Sequence, residues 1–206
     1  MEAAQIEAAQ IEPLGTESQI LKVAFIFEGA MALLFFLFSY FDPKLLRLDA
    51  PSGSQILIAV AAALCLFILN LAFVYISYKY RVLTSVKFIE GIIEPLSRAL
   101  SIKGALIVSI LAGVGEELFF RGVLLPYTGV IISSILFSLA HFLVETKKYL
   151  FLASVYAGIG ILFGILLELT NTLWVPIIFH ILYDFLAILF FRSTLKKRLL
   201  SYETRH

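Results

Sequence analysis

Cysteine is almost missing from this chain. Cys65 is the only one in 206 residues, so neither an intrachain disulfide nor a thiolate-bound metal cluster can form. Charge is scarce too, at 15% of residues where an ordinary globular domain carries about 25%. Sixteen Lys and Arg stand against fifteen Asp and Glu, a formal charge of +1, which leaves no global basic field for nucleic acid. The opening MEAAQIEAAQIEPLGTESQ is acidic and lacks the basic n-region of a secretory signal. It reads as a polar tail over 1–19, followed by a membrane-embedded domain over 20–192 and a basic tail over 193–206. What is abundant is apolar: 61% of residues, with mean hydropathy +0.97, against the usual share of about 45–50%. A 23 kDa soluble core cannot hide that excess. A soluble enzyme and a disordered chain are both excluded. Of the two placements left, a permanent apolar complex and a bilayer, the bilayer is favoured, and the fold class is an all-α polytopic helix bundle.

A membrane helix needs about 20 mostly apolar residues. Six stretches qualify, at 20–41, 56–78, 105–127, 130–146, 149–167 and 172–191. Between the second and third, Val86, Ile89, Ile93, Leu96 and Leu100 recur at three-to-four spacing with Glu90, Glu94 and Arg98 opposite. That pattern predicts an amphipathic helix, lying in the interface or packed on the bundle, with a kink at Pro95. With six spans, the basic residues gather on the side of the two termini, leaving only Lys44 and Arg47 on the other. The positive-inside rule then places both termini in the cytoplasm. Thr128-Gly129 and Asn171-Thr172 read as tight external turns, and Gly160 and Gly164 as a close helix contact.

Charged side chains in hydrocarbon cost several kcal/mol, so they mark pairs, cavities or function. Here they are Glu28, Glu116, Glu117, Arg121 and Asp184, joined by His141 and His180; the third histidine, His206, is terminal. Glu116 lies 12 residues before Thr128, and His141 lies 12 after Gly129. At 1.5 Å per residue both sit roughly 18 Å from the hairpin tip. His180 and Asp184 fall within about one helical turn of that depth, so four dispersed residues converge on one layer. Glu117 and Arg121, four apart with the acid first, neutralise each other. Glu116 points about 100° away and lacks an intrahelical basic partner, which suits a general base. Asp184, four residues after His180, can fix the imidazole tautomer. Glu28 fits either a packing contact or a site wall. Glu116, the two histidines and Asp184 also make a possible zinc ligand list, but HExxH is absent and a metal-free site is favoured. Ser133, Ser134 and Ser138 line the His141 helix, where small polar residues commonly pack.

EELFFR (Glu116 to Arg121), FSLAH (Phe137 to His141) and HILYD (His180 to Asp184) resemble, in order, the three motifs of the CPBP family. These are the CAAX prenyl endopeptidases and bacteriocin-processing, Abi-type intramembrane proteases. RGVLLP and NTLWVPIIFH flank the motifs as in the family, and the likeness covers about 103–190. The resemblance implies an endopeptidase in a prokaryotic plasma membrane that works without a bound cofactor. Glu116 and His141 would activate the attacking water, His180 and Asp184 would form the oxyanion hole, and Glu117 and Arg121 would support them. A peptide or protein near the bilayer would be the substrate. Two departures stand out. The CAAX endopeptidases carry asparagine where this chain has Asp184, and an ionised aspartate cannot donate to an oxyanion. The chain also has six expected spans where the larger endopeptidases have about eight, so a prenylated substrate is not implied. Two other functions compete: a non-catalytic binding or bacteriocin-immunity protein using the cluster as a structural network, and a small transporter. No inverted repeat of broken helices supports the latter.

Overall fold

A computed structural model describes residues 15–142 and 149–203, with side chains through Ser193. The polar tail before Gly15, the last residues of the expected fourth span and most side chains of the basic tail lie outside the described residues. Helix α1 spans Glu17–Phe41 and α2 spans Gly53–Lys79. Both begin three residues ahead of the apolar runs, because Thr16 with Gln19 and Ser52 with Gln55 form capping boxes that satisfy the first backbone N–H groups. Next come α3 (Leu83–Phe88) and α4 (Glu94–Ala99), joined by a π-helical turn, Ile89–Ile93. Helix α5 (Ile102–Glu117) runs through a second π-helical turn, Leu118–Leu124, into α6 (Leu125–His141). Helices α7 (Leu150–Thr170) and α8 (Trp174–Glu203) complete the order.

Each π turn ends just before a proline, Pro95 or Pro126. Proline has no N–H to donate, and its ring crowds the carbonyl four residues back. Widening the preceding turn relieves that clash. It also inserts one residue, which rotates everything downstream by about 100°. This explains one departure from the sequence reading. Glu94, expected on the polar face of the amphipathic helix, is 7% exposed, while Ile89, where the π turn begins, is buried as its spacing requires.

Five helical stretches are long and apolar enough to cross a membrane: Glu17–Phe41, Gly53–Lys79, Ile102–His141, Leu150–Thr170 and Trp174–Ser193. The third is 40 residues long because no loop separates its halves. It folds back at Gly129, whose φ of 76° and ψ of 170° are open to glycine and strained for other residues. The return is tight enough for Ser133 Oγ to donate to Phe120 O at 2.7 Å. Asn171, with φ 54°, caps α7 in the left-handed conformation and starts the turn into α8. Large apolar side chains face outward on every side, among them Phe25, Leu57, Ile68 and Leu169. No water-soluble surface carries such a girdle; the hydrocarbon of a bilayer is its natural solvent. The chain is an all-α polytopic membrane protein.

The two ends of the bundle are held differently. At one end the loop after α1 is stitched to the α7–α8 turn. Leu173 N–H donates to Arg47 O at 2.8 Å, Thr172 Oγ1 to Asp49 O at 2.8 Å, and Gln55 Nε2 to Thr170 O at 2.8 Å. Arg47 also pairs with Glu168 at 2.9 Å. At the other end, Ser101 caps α5 and donates to Glu17 Oε1 at 2.6 Å, so α1 and α5 start side by side and run parallel. Arg192, near the end of the described α8 side chains, donates to Leu100 O beside them. With Tyr127 Oη donating to Asp42 Oδ2 at 3.2 Å, these contacts set both expected turns at one end and the start of α5 at the other.

Close packing sets the centre. A Cβ on Gly160 would lie 3.0 Å from Ser134 Cβ, 3.1 Å from Ser134 Cα and 3.3 Å from Arg121 Nη2. Gly160→Leu is therefore expected to destabilise the protein by about 3 kcal/mol, by forcing α6 and α7 apart. Gly158, with open space around it, supplies the control: Gly158→Leu should unfold within about 0.5 kcal/mol of the wild type. Thermal unfolding in detergent, followed by near-UV circular dichroism, separates the two.

Candidate active site

The site starts from a fully buried ion pair. Glu117 and Arg121 are each 0% exposed. Arg121 Nη1 donates to Glu117 Oε1 at 3.0 Å, and Nη2 donates to Gly160 O at 3.1 Å. The guanidinium carbon sits 4.3 Å from the Phe137 ring centroid and 4.8 Å from that of Phe163. Charge is matched by charge, and the planar cation is clasped between aromatic faces that attract it. The pairing expected from the four-residue spacing is present, and it reaches further. The same Glu117 Oε1 accepts from His180 Nδ1 at 2.9 Å. One oxygen thus ties the cation of the second π-helical turn to the imidazole of α8.

His180 Nε2 then faces two more carboxylates, Asp184 Oδ2 at 3.4 Å and Glu116 Oε2 at 4.0 Å. Its ring stacks on Phe163, centroids 4.9 Å apart. His141, on α6, holds its orientation differently. Nδ1 lies 2.9 Å from Phe137 O, and a carbonyl only accepts, so Nδ1 carries the proton. With Nδ1 protonated, Nε2 is the acceptor when the ring is neutral. It faces Glu116 Oε1 at 3.7 Å, too long for a direct hydrogen bond and suited to a bridging water. Four groups placed by three helices, Glu116, His141, His180 and Asp184, line one cavity of about 590 Å³. Its remaining walls are largely apolar and include Ile89, Ile92 and Leu96 of the α3–α4 segment. Among the described residues no three His, Cys, Asp or Glu side chains are arranged to hold one metal ion.

Glu28 reaches the edge of this cluster from α1. Gly115 permits it: a Cβ there would stand 2.6 Å from Glu28 Oε2 and 2.7 Å from Glu28 O. Glu28 Oε2 is buried without a hydrogen-bond partner, and Glu28 does not line the cavity. The three serines of α6 turn away to structural bonds. Ser133 donates to Phe120 O, Ser134 to Val130 O, and Ser138 to Ala153 O. Cys65 is exposed on the outside of the bundle. Residue chemistry alone overlooked two phenols and one amide on the cavity wall, Tyr156, Tyr183 and Asn70. Depth arithmetic would have found Tyr156. It lies 15 residues before Asn171, within about one helical turn of the layer that holds the histidines.

A helical membrane protein with a carboxylate and two imidazoles on one internal cavity has the makings of an intramembrane hydrolase. Residues 98–186 match the family model described as Type II CAAX prenyl endopeptidase Rce1-like. Over those residues the chain belongs to this family, the CAAX proteases of the CPBP group. An uncharacterized protein of Bacillus subtilis (strain 168), YpbD, is 32% identical over 94 residues, covering 46% of this chain and 49% of that protein. The chain thus spans about half the length of the curated relative it matches. No solved structure is a significant match.

Proposed function

We propose that the chain is an intramembrane endopeptidase that hydrolyses a peptide bond with water activated by Glu116 and His141. The observation that carries this reading is the meeting of Glu116, His141, His180 and Asp184 on one cavity wall. A water between Glu116 Oε1 and His141 Nε2 faces two acceptors. It donates a proton toward each and turns its lone pairs to the cavity, ready to attack a carbonyl carbon. Glu116 takes the proton released on attack and returns it to the leaving amine. Arg121 holds Glu117, and Glu117 fixes His180 through Nδ1. Asp184 orients the other edge of that ring. The apolar remainder of the cavity suits a substrate with hydrophobic side chains, drawn from a peptide or membrane protein.

In the bilayer the 40-residue stretch counts as two crossings, one on each side of Gly129, giving six in all. Both termini then face the cytoplasm, and the α3–α4 segment lies at the cytoplasmic interface beneath the cavity. The excess of Lys and Arg on that side supports this orientation. Comparing membranes that carry the wild type with membranes that carry Glu116→Ala tests the activity. N-terminal peptide profiling should reveal new chain ends in the first and not in the second. Identical profiles, with both proteins folded and equally abundant, would overturn the hydrolase reading in favour of a non-catalytic binding role.

A further inference from the structure

The candidate site is rich in acceptors and poor in donors. Glu116, Glu117 and Asp184 accept when ionised. His141 has its one N–H committed to Phe137 O. His180 has Nδ1–H committed to Glu117, so its Nε2–H, beside Asp184 and Glu116, is the one imidazole donor turned to the cavity, and a second donor is wanting. A carbonyl oxygen that gains negative charge needs a donor aimed at it, and such donors commonly supply the largest single contribution to catalysis. Asp184 cannot serve in its ionised form.

The geometry points to Tyr156 as the residue whose phenolic O–H stabilises the oxyanion. This rests on the hydrolase reading above. Tyr156 lines the cavity with Glu116 and His141. Its ring packs against His141 and against Phe142, with both centroids 5.1 Å away, and these contacts fix its plane. No hydrogen bond engages that hydroxyl among the described residues, so its proton is free to give. The other lining donors are less suited. Ser97 donates to Ile93 O, and Asn70 and Ser85 have no recorded contact with the four central residues. Tyr183 does line the wall and serves as the comparison.

The step balances with water as the co-reactant. Water oxygen forms a bond to the carbonyl carbon, and one water proton passes to Glu116. The carbonyl π pair moves onto oxygen, where it accepts from the Tyr156 O–H. The pair then returns, the C–N bond breaks, and the proton on Glu116 passes to the departing nitrogen. The products are a carboxylic acid and an amine. Tyr156 keeps its own proton throughout.

Full-length protein in detergent is assayed on a quenched-fluorescent library of random octapeptides, as wild type, Glu116→Gln, Tyr156→Phe and Tyr183→Phe. Tyr156→Phe retains the ring contacts and loses only the hydroxyl. Its kcat should fall about 10²–10³-fold, the range for loss of one oxyanion donor. KM should change by less than about threefold, the mark of an interaction made only in the transition state. Tyr183→Phe, on the same wall, should lose about tenfold less kcat than Tyr156→Phe. A Tyr156→Phe enzyme that matches the wild type while Glu116→Gln is inactive, or a loss confined to Tyr183→Phe, overturns the assignment and leaves the hydrolase reading standing. Wild type and Glu116→Gln giving the same signal overturns both. Fluorinated tyrosines at position 156 remain decisive if the phenylalanine variant does not fold. The rate should follow the acidity of the phenol, and a flat series refutes the role.

Discussion

Purified Glu116→Gln protein is expected to cut its substrate about 10²–10⁴ times more slowly than the wild type, the span usually traced to a positioned general base. The exchange keeps the side-chain volume and removes only the basic oxygen. The ion pair beside it is untouched, because Glu117 and Arg121 bond each other and not Glu116. Melting in detergent should therefore shift little. His141→Ala should slow the reaction by a similar factor if both groups, 3.7 Å apart, activate one water as proposed. The double variant should be scarcely slower than either single one, as happens when two residues act as a unit. Progress curves on a reporter peptide, built from the cleavage site found in membranes, measure all three. Fully additive losses would mean that the two side chains do separate jobs, and the shared-water mechanism would be abandoned.

The largest effect on folding is expected from Arg121→Leu. It strands the Glu117 carboxylate, 0% exposed, with only the His180 N–H left beside it. Breaking one side of a buried pair costs about 3–5 kcal/mol. Removing both charges costs far less, because an apolar pair of similar volume needs no desolvation. The double variant Glu117→Met with Arg121→Leu should thus recover most of the lost stability. It should not recover cleavage, because His180 Nδ1 has then lost the oxygen that fixes it. Unfolding titrations in mixed micelles, run beside the cleavage assay, would show the two properties parting. An Arg121→Leu protein within about 1 kcal/mol of the wild type would refute the buried-pair account.

Much of the site was legible because a helix converts residue count into depth at a fixed rise. Twelve residues on either side of Thr128-Gly129 were enough to bring Glu116 and His141 to one level, and the structure sets their polar atoms 3.7 Å apart. The four-residue spacing of Glu117 and Arg121 announced their bond in the same way. Three things were not legible. The π turns were hidden, since a one-residue widening leaves no compositional trace except a following proline; the inward turn of Glu94 follows from the first of them. The helix starts lay outside the apolar runs, at polar capping boxes that hydropathy discounts. The link from Glu117 to His180 joins residues 63 apart, and no local pattern encodes a bond between distant helices. Glu28 illustrates the same limit: its place over Gly115 depends on how closely α1 approaches α5.

A single carboxylate oxygen, Glu117 Oε1, is shared by the guanidinium that secures the interior and by the imidazole of the candidate site. Under the proposed function, any change that moves this oxygen alters thermal stability and turnover together. The outward-facing apolar girdle lies apart from that oxygen, so exchanges there can retune the fit to lipid without loosening the shared bond.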